Sequence, residues 1–167
     1  MKLVQEIGKA SKRKCVSMNV NFGFKAGASL EHFHGQFVCE DEPLAKTSLA
    51  MNIGNKKYWK SWVKAILEKN LVIDFDDESK TVLFVEWSPA FGKTELVVMN
   101  LETPCFQNMN EKEIKASAKF IDKAVRITMS SISDHFNIVN LSASPKDNFC
   151  NQFRIFPRAP SSYGIKS

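Results

Sequence analysis

The order of the apolar runs in the C-terminal part of the chain restricts the fold more than any other feature of the sequence. Between the third and fourth runs, Asn110 and Glu113 have the spacing of a capping box, and one apolar helical stripe (Ile114, Ala118, Ile121 and Val125) continues to about Ser131. The order strand, strand, strand, helix, strand, strand predicts an α+β fold, with an antiparallel sheet against one long helix. The five apolar runs of strand length are residues 71–76, 81–87, 95–101, 135–143 and 151–158.

The N-terminal part of the chain predicts a β-hairpin. Residues 15–21, "CVSMNVN", alternate as a strand does, and so do residues 30–38, "LEHFHGQFV". Between them lies the loop "FGFKAGAS", which contains two glycines able to take positive φ or to approach a ligand closely. A short helix is expected over residues 2–12.

The middle of the chain predicts a connection followed by a helix. Residues 41–56 carry no clear period, whereas from Lys57 onward aromatic and aliphatic residues recur at helical spacing. This stripe is expected to pack inward. It contains Tyr58, Trp59, Trp62, Val63, Ile66 and Leu67.

The bulk properties exclude several classes of protein. The 167 residues are 44% hydrophobic, enough for one core or for two small fused halves. No run approaches the roughly 20 apolar residues that span a bilayer, and the N-terminus lacks the apolar stretch of a signal peptide. The cysteines form no CxxC pair, which favours reduced thiols in the cytoplasm over a zinc knuckle or redox motif. They are Cys15, Cys39, Cys105 and Cys150.

The net charge of +5 mildly favours a phosphate-bearing partner. A solvated basic surface explains the same charge without any partner. Nucleic-acid binding depends on the short run "SKRK" at residues 11–14, and the chain has no aromatic RNA-binding motif beside it. Nucleic acid is therefore the weakest of the partner classes.

His32, His34 and Gln36 stand at every second position and would share one face of a strand. An imidazole can be a nucleophile, an acid or base, or a metal ligand, although polar side chains on a wet strand have the same pattern. The third histidine, His135, stands alone before a strand and is interpreted as a surface or capping residue.

The glycine loop favours the interpretation as a phosphate site. Gly27 and nearby amides can approach an anion, Ser29 can donate a hydroxyl bond, and Gln36 can donate its amide to a phosphate oxygen. An attacking imidazole must be oriented through its other nitrogen, for which a backbone carbonyl is a suitable acceptor. The pattern predicts double displacement, in which histidine captures a phosphate and passes it to a second acceptor.

The motif N-x-G-x-x-A-G-A-S-L-x-H-x-H-x-Q resembles the active-site signature of the galactose-1-phosphate uridylyltransferase branch of the histidine triad (HIT) superfamily. That branch includes ADP-glucose phosphorylase and diadenosine tetraphosphate phosphorylase. The residues that carry the resemblance are Asn21, Gly23, Ala26, Gly27, Ala28, Ser29, Leu30, His32, His34 and Gln36.

The resemblance implies nucleotidyl transfer in galactose or related metabolism, through a nucleotidyl-histidine intermediate. It places His34, His32 and Gln36 in the catalytic site. His34 would be the nucleophile and Gln36 would bind the transferred phosphate, while Ser29, Gly27 and Asn21 would hold the phosphates. His32 matches a histidine that ligates structural zinc in some members. The other ligands lie upstream of any sequence present here, so no metal ligand is assigned.

The resemblance also implies two fused HIT-like halves. Residues 1–45 correspond to the end of a first half that carries HxHxQ, and residues 46–167 to a complete but degenerate second half. In the closing run "FCNQFRIFPR", Cys150, Gln152 and Arg154 replace two histidines and a glutamate, so a metal site is not expected there.

The short segment before His32 leaves two functions open. Relatives place several strands there to hold base and ribose, so the open sheet edge predicts a homodimer or a partner that supplies those strands. The first function is a nucleotidyltransferase acting on nucleotide sugars or sugar phosphates. The second is a non-catalytic protein that binds a nucleotide or sugar phosphate.

Overall fold

The computed structural model describes residues 5–6, 10–29, 32–89 and 94–158. Within these ranges, seven strands form one antiparallel sheet in the order β2-β1-β6-β7-β5-β4-β3. The predicted order of elements after residue 70 is confirmed. The strands are β1 Cys15–Phe22, β2 Gly35–Glu40, β3 Val72–Asp76, β4 Thr81–Val85, β5 Leu96–Asn100, β6 Phe136–Leu141 and β7 Gln152–Pro157.

Helices cover both faces of the sheet. The long helix α3, Glu111–Ser131, packs on one face through Phe120 and Ala124. The opposite face is covered over its central strands by α1, Ala45–Ile53, and α2, Lys56–Glu68. The two buried clusters therefore make three layers, helix on sheet on helix, and the α+β prediction of an antiparallel sheet with a long packed helix is confirmed.

Local chemistry explains where two of the helices begin. Asn110 accepts from the amide of Glu113 (3.0 Å), and the Glu113 carboxylate accepts from the amide of Asn110 (2.8 Å), which completes the predicted capping box. Asn55 caps α2 in the same manner by accepting from the Tyr58 amide (3.1 Å).

Two expectations for the middle of the chain were wrong in part. Residues 41–56 contain helix α1, which a periodicity search misses because its apolar residues do not gather on one stripe. The predicted stripe of α2 is buried at Trp59, Val63 and Ile66, whereas Tyr58 and Leu67 are exposed at its margins.

The N-terminal segment is only partly within the described residues. Residues 5, 6 and 10 are helical, and the rest of the helix predicted over 2–12 lies outside the described residues. Gln5 is buried and donates to the carbonyls of Phe106 (3.1 Å) and Met109 (2.8 Å). These bonds tie the segment to the body of the protein.

The two predicted halves contribute to one continuous sheet, because β1 pairs with β6 from Asn19 opposite Val139 to Phe22 opposite Phe136. The division of the chain at residue 45 stays a prediction. No helix among the described residues is long and apolar enough to span a membrane.

Candidate active site at the sheet edge

The predicted site lies at the β2 edge of the sheet. Strand β2 begins at Gly35 and pairs with β1, with Gln36 opposite Asn19. The expectation that His32 and His34 lie within this strand was wrong, since both precede it.

Alternation places Gln36, Asn19 and Asn21 on the face opposite α3. Their neighbours Val16 and Val20 point to the core beneath that helix, and directly paired residues share a face. His32 and His34 remain close together, with ring centroids 5.8 Å apart and planes inclined by 60°. The motif residues thus meet at one edge without belonging to one strand.

The His34 ring is oriented by a main-chain carbonyl. Its Nδ1 lies 3.1 Å from the carbonyl oxygen of His32. A carbonyl oxygen only accepts, so Nδ1 carries the hydrogen in this contact, and in the neutral ring the lone pair is on Nε2. This is the tautomer that a nucleophilic imidazole needs.

Glycines shape the loop between the strands. Gly23 has φ of 82°, and a Cβ there would lie 1.9 Å from His135 Nδ1. Gly27 has φ of 78° in the left-handed region, but a Cβ there would meet nothing within 4 Å. Gly23 is therefore required by conformation and by packing, and Gly27 by conformation alone.

The loop is fastened to β6 by Asn137, which sequence reasoning missed. Its Nδ2 donates to Asn21 Oδ1 (2.6 Å) and to the carbonyl of Ala26 (2.9 Å), and its Oδ1 accepts from Arg158 Nε. Arg158 is also held through its amide, which donates to the His135 carbonyl (2.7 Å). The sequence signal that could have indicated Asn137 is its place between Phe136 and Ile138. The side chains of these two neighbours point to the opposite face of the sheet.

His135, which the sequence indicates as a surface or capping residue, is half-buried. Its side chain is 20% exposed and packs against Gly23. His135 Nδ1 is buried and has no hydrogen-bond partner among the described residues. The ring supports the glycine loop from below.

The remaining predicted residues differ in accessibility. Gln36 and Ser29 are exposed, and His34 is half-buried. The Gly27 amide donates to the Phe24 carbonyl (3.0 Å), and the Ala26 and Ala28 amides donate to that of Gly23. These three amides are therefore occupied within the loop.

The closing strand carries an ion-pair cluster in place of metal ligands. Arg154 Nη1 lies 2.6 Å from Glu95 Oε1 and 3.2 Å from Glu86 Oε2, and its Nε donates to Gln152 Oε1 (3.0 Å). Burial raises the pKa of the Cys150 thiol to about 12, so the thiol stays protonated. No three His, Cys, Asp or Glu side chains are grouped for a metal ion anywhere in the described ranges.

Solved structures share this architecture. A uridylyltransferase mutant superposes with a TM-score of 0.69 at 17% identity, over 93% of this chain and 56% of that one. An ADP-glucose phosphorylase from Arabidopsis thaliana with bound ADP-glucose gives 0.67 at 18% identity, over 95% and 53%. A DUF4931 family protein from Bacillus cereus gives 0.61 at 17% identity, over 99% and 66%.

The chain has the uridylyltransferase-like fold. The resemblance in the motif and the likeness in fold therefore agree. The chain spans between about half and two thirds of the length of these neighbours. No family sequence model matches it, and no curated protein matches it in sequence.

Proposed function

We propose that the protein is a nucleotidyltransferase that carries a nucleoside monophosphate on His34. The supporting observation is the 3.1 Å contact between His34 Nδ1 and the His32 carbonyl, since it directs the lone pair of Nε2 away from the main chain. The uridylyltransferase-like fold is consistent with this chemistry. The substrate class is a nucleotide sugar or dinucleotide, with a phosphorylated sugar or phosphate as acceptor.

The proposed reaction has two displacements. His34 Nε2 attacks the α-phosphorus, so that an N–P bond forms while the P–O bond to the leaving phosphate breaks. A phosphate oxygen of the acceptor then attacks the same phosphorus, and the N–P electron pair returns to Nε2. Gln36 and Ser29 donate hydrogen bonds to the phosphate oxygens, and Asn21, whose Oδ1 accepts from Asn137, adds a donor through its Nδ2.

The test is intact-protein mass spectrometry after incubation with UDP-glucose, UDP-galactose, ADP-glucose or diadenosine tetraphosphate. Wild type is expected to gain an acid-labile nucleoside monophosphate, and His34→Ala to gain none. His32→Ala is the matched control, because it keeps the main-chain carbonyl and is expected to form the adduct. An adduct on His34→Ala, or none on wild type with any donor, would contradict the proposal.

The exposure of the site favours a second candidate, a non-catalytic nucleotide- or sugar-phosphate-binding protein. Within the described residues β2 pairs with β1 alone, and Gln36 and Ser29 face solvent. Saturable binding of UMP or AMP without adduct formation, retained in His34→Ala and weakened in Gln36→Ala, would identify this function.

The same strand is where we propose that a second copy or a partner chain pairs. Its outer edge offers main-chain groups, and the exposed aromatic rings of Phe33 and Phe37 accompany it. Sedimentation velocity measures the oligomeric state of wild type and of a Phe37→Lys variant. A dimer is expected for wild type and a weakened one for the variant.

A further inference from the structure

A cavity lies between helices α1 and α2 and the sheet, on the face that also carries Gln36. It has a volume of about 430 Å³. Pockets of this size accommodate small organic ligands. Its walls include Leu49, Tyr58, Trp59, Trp62, Leu141 and Phe156.

The aromatic wall of the cavity is held in place by its own packing. Trp59 is 5% exposed and meets Tyr58 edge to face, with centroids 5.1 Å apart and planes at 82°. Phe149 supports Trp59 from another side at 6.3 Å and 89°. Gly54 leaves the room that Tyr58 occupies, since a Cβ there would lie 2.1 Å from Tyr58 Cδ1. The wall is thus formed before any ligand arrives.

Two hydrogen-bond donors of this wall are unused. The indole nitrogens of Trp59 and Trp62 are buried and have no partner among the described residues. An indole N–H only donates, and a buried donor without an acceptor is costly. Because neither nitrogen has accessible surface, the indoles offer ring carbons rather than N–H donors to a ligand in the cavity.

The charged groups around the cavity are of both signs. Arg154 lines it, but its guanidinium is engaged by Glu86 and Glu95. Lys46 lies at the cavity with its Nζ 5.4 Å from the centroid of the Phe156 ring. The Glu86 carboxylate, also in the lining, repels an anion and accepts from a ring N–H or amino group.

We propose that this cavity is a second binding site, for an uncharged heteroaromatic ring of the nucleobase type. Such a ring stacks on the aromatic side chains of the wall and carries N–H or amino donors for Glu86. Gln36, Asn19, Val139 and Arg154 form one row across the sheet, so the cavity lies three strands, or roughly 14 Å, from the histidine site. The site uses none of the residues proposed for nucleotidyl transfer.

Tryptophan fluorescence measures this binding directly, because Trp59 and Trp62 line the cavity. Wild type is titrated with adenosine, guanosine, uridine and cytidine, with ribose as the control solute and AMP and UMP as phosphorylated probes. At least one nucleoside is expected to give saturable quenching, and its monophosphate is expected to bind no more tightly.

Three variants locate the binding. Trp62→Phe replaces the indole by a smaller ring and so reduces the stacking surface, and is expected to bind roughly three- to fivefold more weakly. Leu49→Arg, at a side chain that is 62% exposed, is expected to abolish binding without disturbing the core. Trp87→Phe is the matched control, since Trp87 is 66% exposed and not part of the wall, and it should bind as wild type does.

Several results would overturn the proposal. They are the absence of saturable quenching with all four nucleosides into the millimolar range, unchanged affinity in both Leu49→Arg and Trp62→Phe, and markedly tighter binding of a monophosphate through the cavity. His34→Ala is expected to keep nucleoside binding in full. A negative adduct experiment therefore does not contradict binding in the cavity. Likewise, absence of nucleoside binding in the cavity does not contradict nucleotidyl transfer on His34.

Discussion

Asn137 on β6 donates from Nδ2 to Asn21 Oδ1 on β1 over 2.6 Å, although the two residues are 116 positions apart in the chain. The same amide group reaches the carbonyl of Ala26, so one side chain joins the sheet to the glycine loop. Arg158 fixes the orientation of that amide from its other end. The geometry of the loop before His34 thus depends on a residue far from the motif.

Replacing Asn137 should loosen the loop without changing the fold. Asn137→Ala removes a donor shared by two acceptors and an acceptor for Arg158, and should cost about 1–3 kcal/mol of unfolding free energy. Asn19 lies on the same face of the sheet, two residues from Asn21 on β1, and Asn19→Ala should lower the free energy of unfolding by less. Urea denaturation with circular dichroism measures both changes. Equal losses in the two variants would contradict the role of Asn137.

The two glycines of the loop should respond differently to alanine. In Gly27→Ala the new methyl group lies in open space. The variant should therefore lose only the cost of a left-handed backbone, about 1–2 kcal/mol of unfolding free energy. Gly23 has a backbone conformation that only glycine adopts readily, and a methyl group there would displace the His135 ring. The loss of unfolding free energy in Gly23→Ala should therefore be clearly larger than in Gly27→Ala. Thermal and urea unfolding of the pair decide this, and a larger loss at Gly27 would show that the packing of His135 on Gly23 contributes nothing.

The sequence predicted the elements whose signals are local. The capping box of Asn110 and Glu113 and the apolar runs of β3 to β7 depend on near neighbours and on burial on both faces of the sheet. These determine most of the sheet and its long helix. The motif also indicated that His32 and His34 lie close together.

Features that depend on distant contacts were not visible. The predicted strand began at Leu30, whereas β2 begins at Gly35. The alternation of polar and apolar residues does not by itself indicate the first residue of a strand. Asn137 reaches the loop only through the pairing of β1 with β6, and Arg158 reaches Asn137 only through the pairing of β6 with β7. Helix α1 is stabilised by contact with the sheet face, with Thr47 and Ala50 buried, rather than by its own apolar period.

The buried ion-pair cluster should be more sensitive to losing one member than to losing all three. Arg154→Met leaves the carboxylates of Glu86 and Glu95 close together and without their cation, which should cost about 3–5 kcal/mol. The triple variant Arg154→Met, Glu86→Gln, Glu95→Gln removes the uncompensated charge and should recover much of that loss. Unfolding in urea at neutral pH measures both. A triple variant less stable than Arg154→Met would show that the cluster stabilises the fold outright.

The cysteines should divide into three protected thiols and one accessible thiol. Burial raises the pKa of Cys15 and of Cys105 to about 11, and that of Cys150 to about 12, whereas Cys39 is only half-buried. Titration with a thiol reagent at pH 8 should modify Cys39 first in the native protein and all four in denaturant. A Cys39→Ser variant should therefore lose the fast phase.

The same three thiols should make the fold sensitive to alkali. Their pKa values are higher in the folded chain than in the unfolded chain, so the stabilisation is present below the unfolded value near 9 and is lost as pH rises towards 11–12. Each thiol should remove about 1.4 kcal/mol of unfolding free energy per pH unit in that window. Urea unfolding at a series of pH values between 9 and 11 gives the free energy of unfolding at each pH. This free energy should fall less steeply with pH in Cys150→Ala than in wild type. An unchanged slope would mean that Cys150 ionises as readily in the native state as in the unfolded chain.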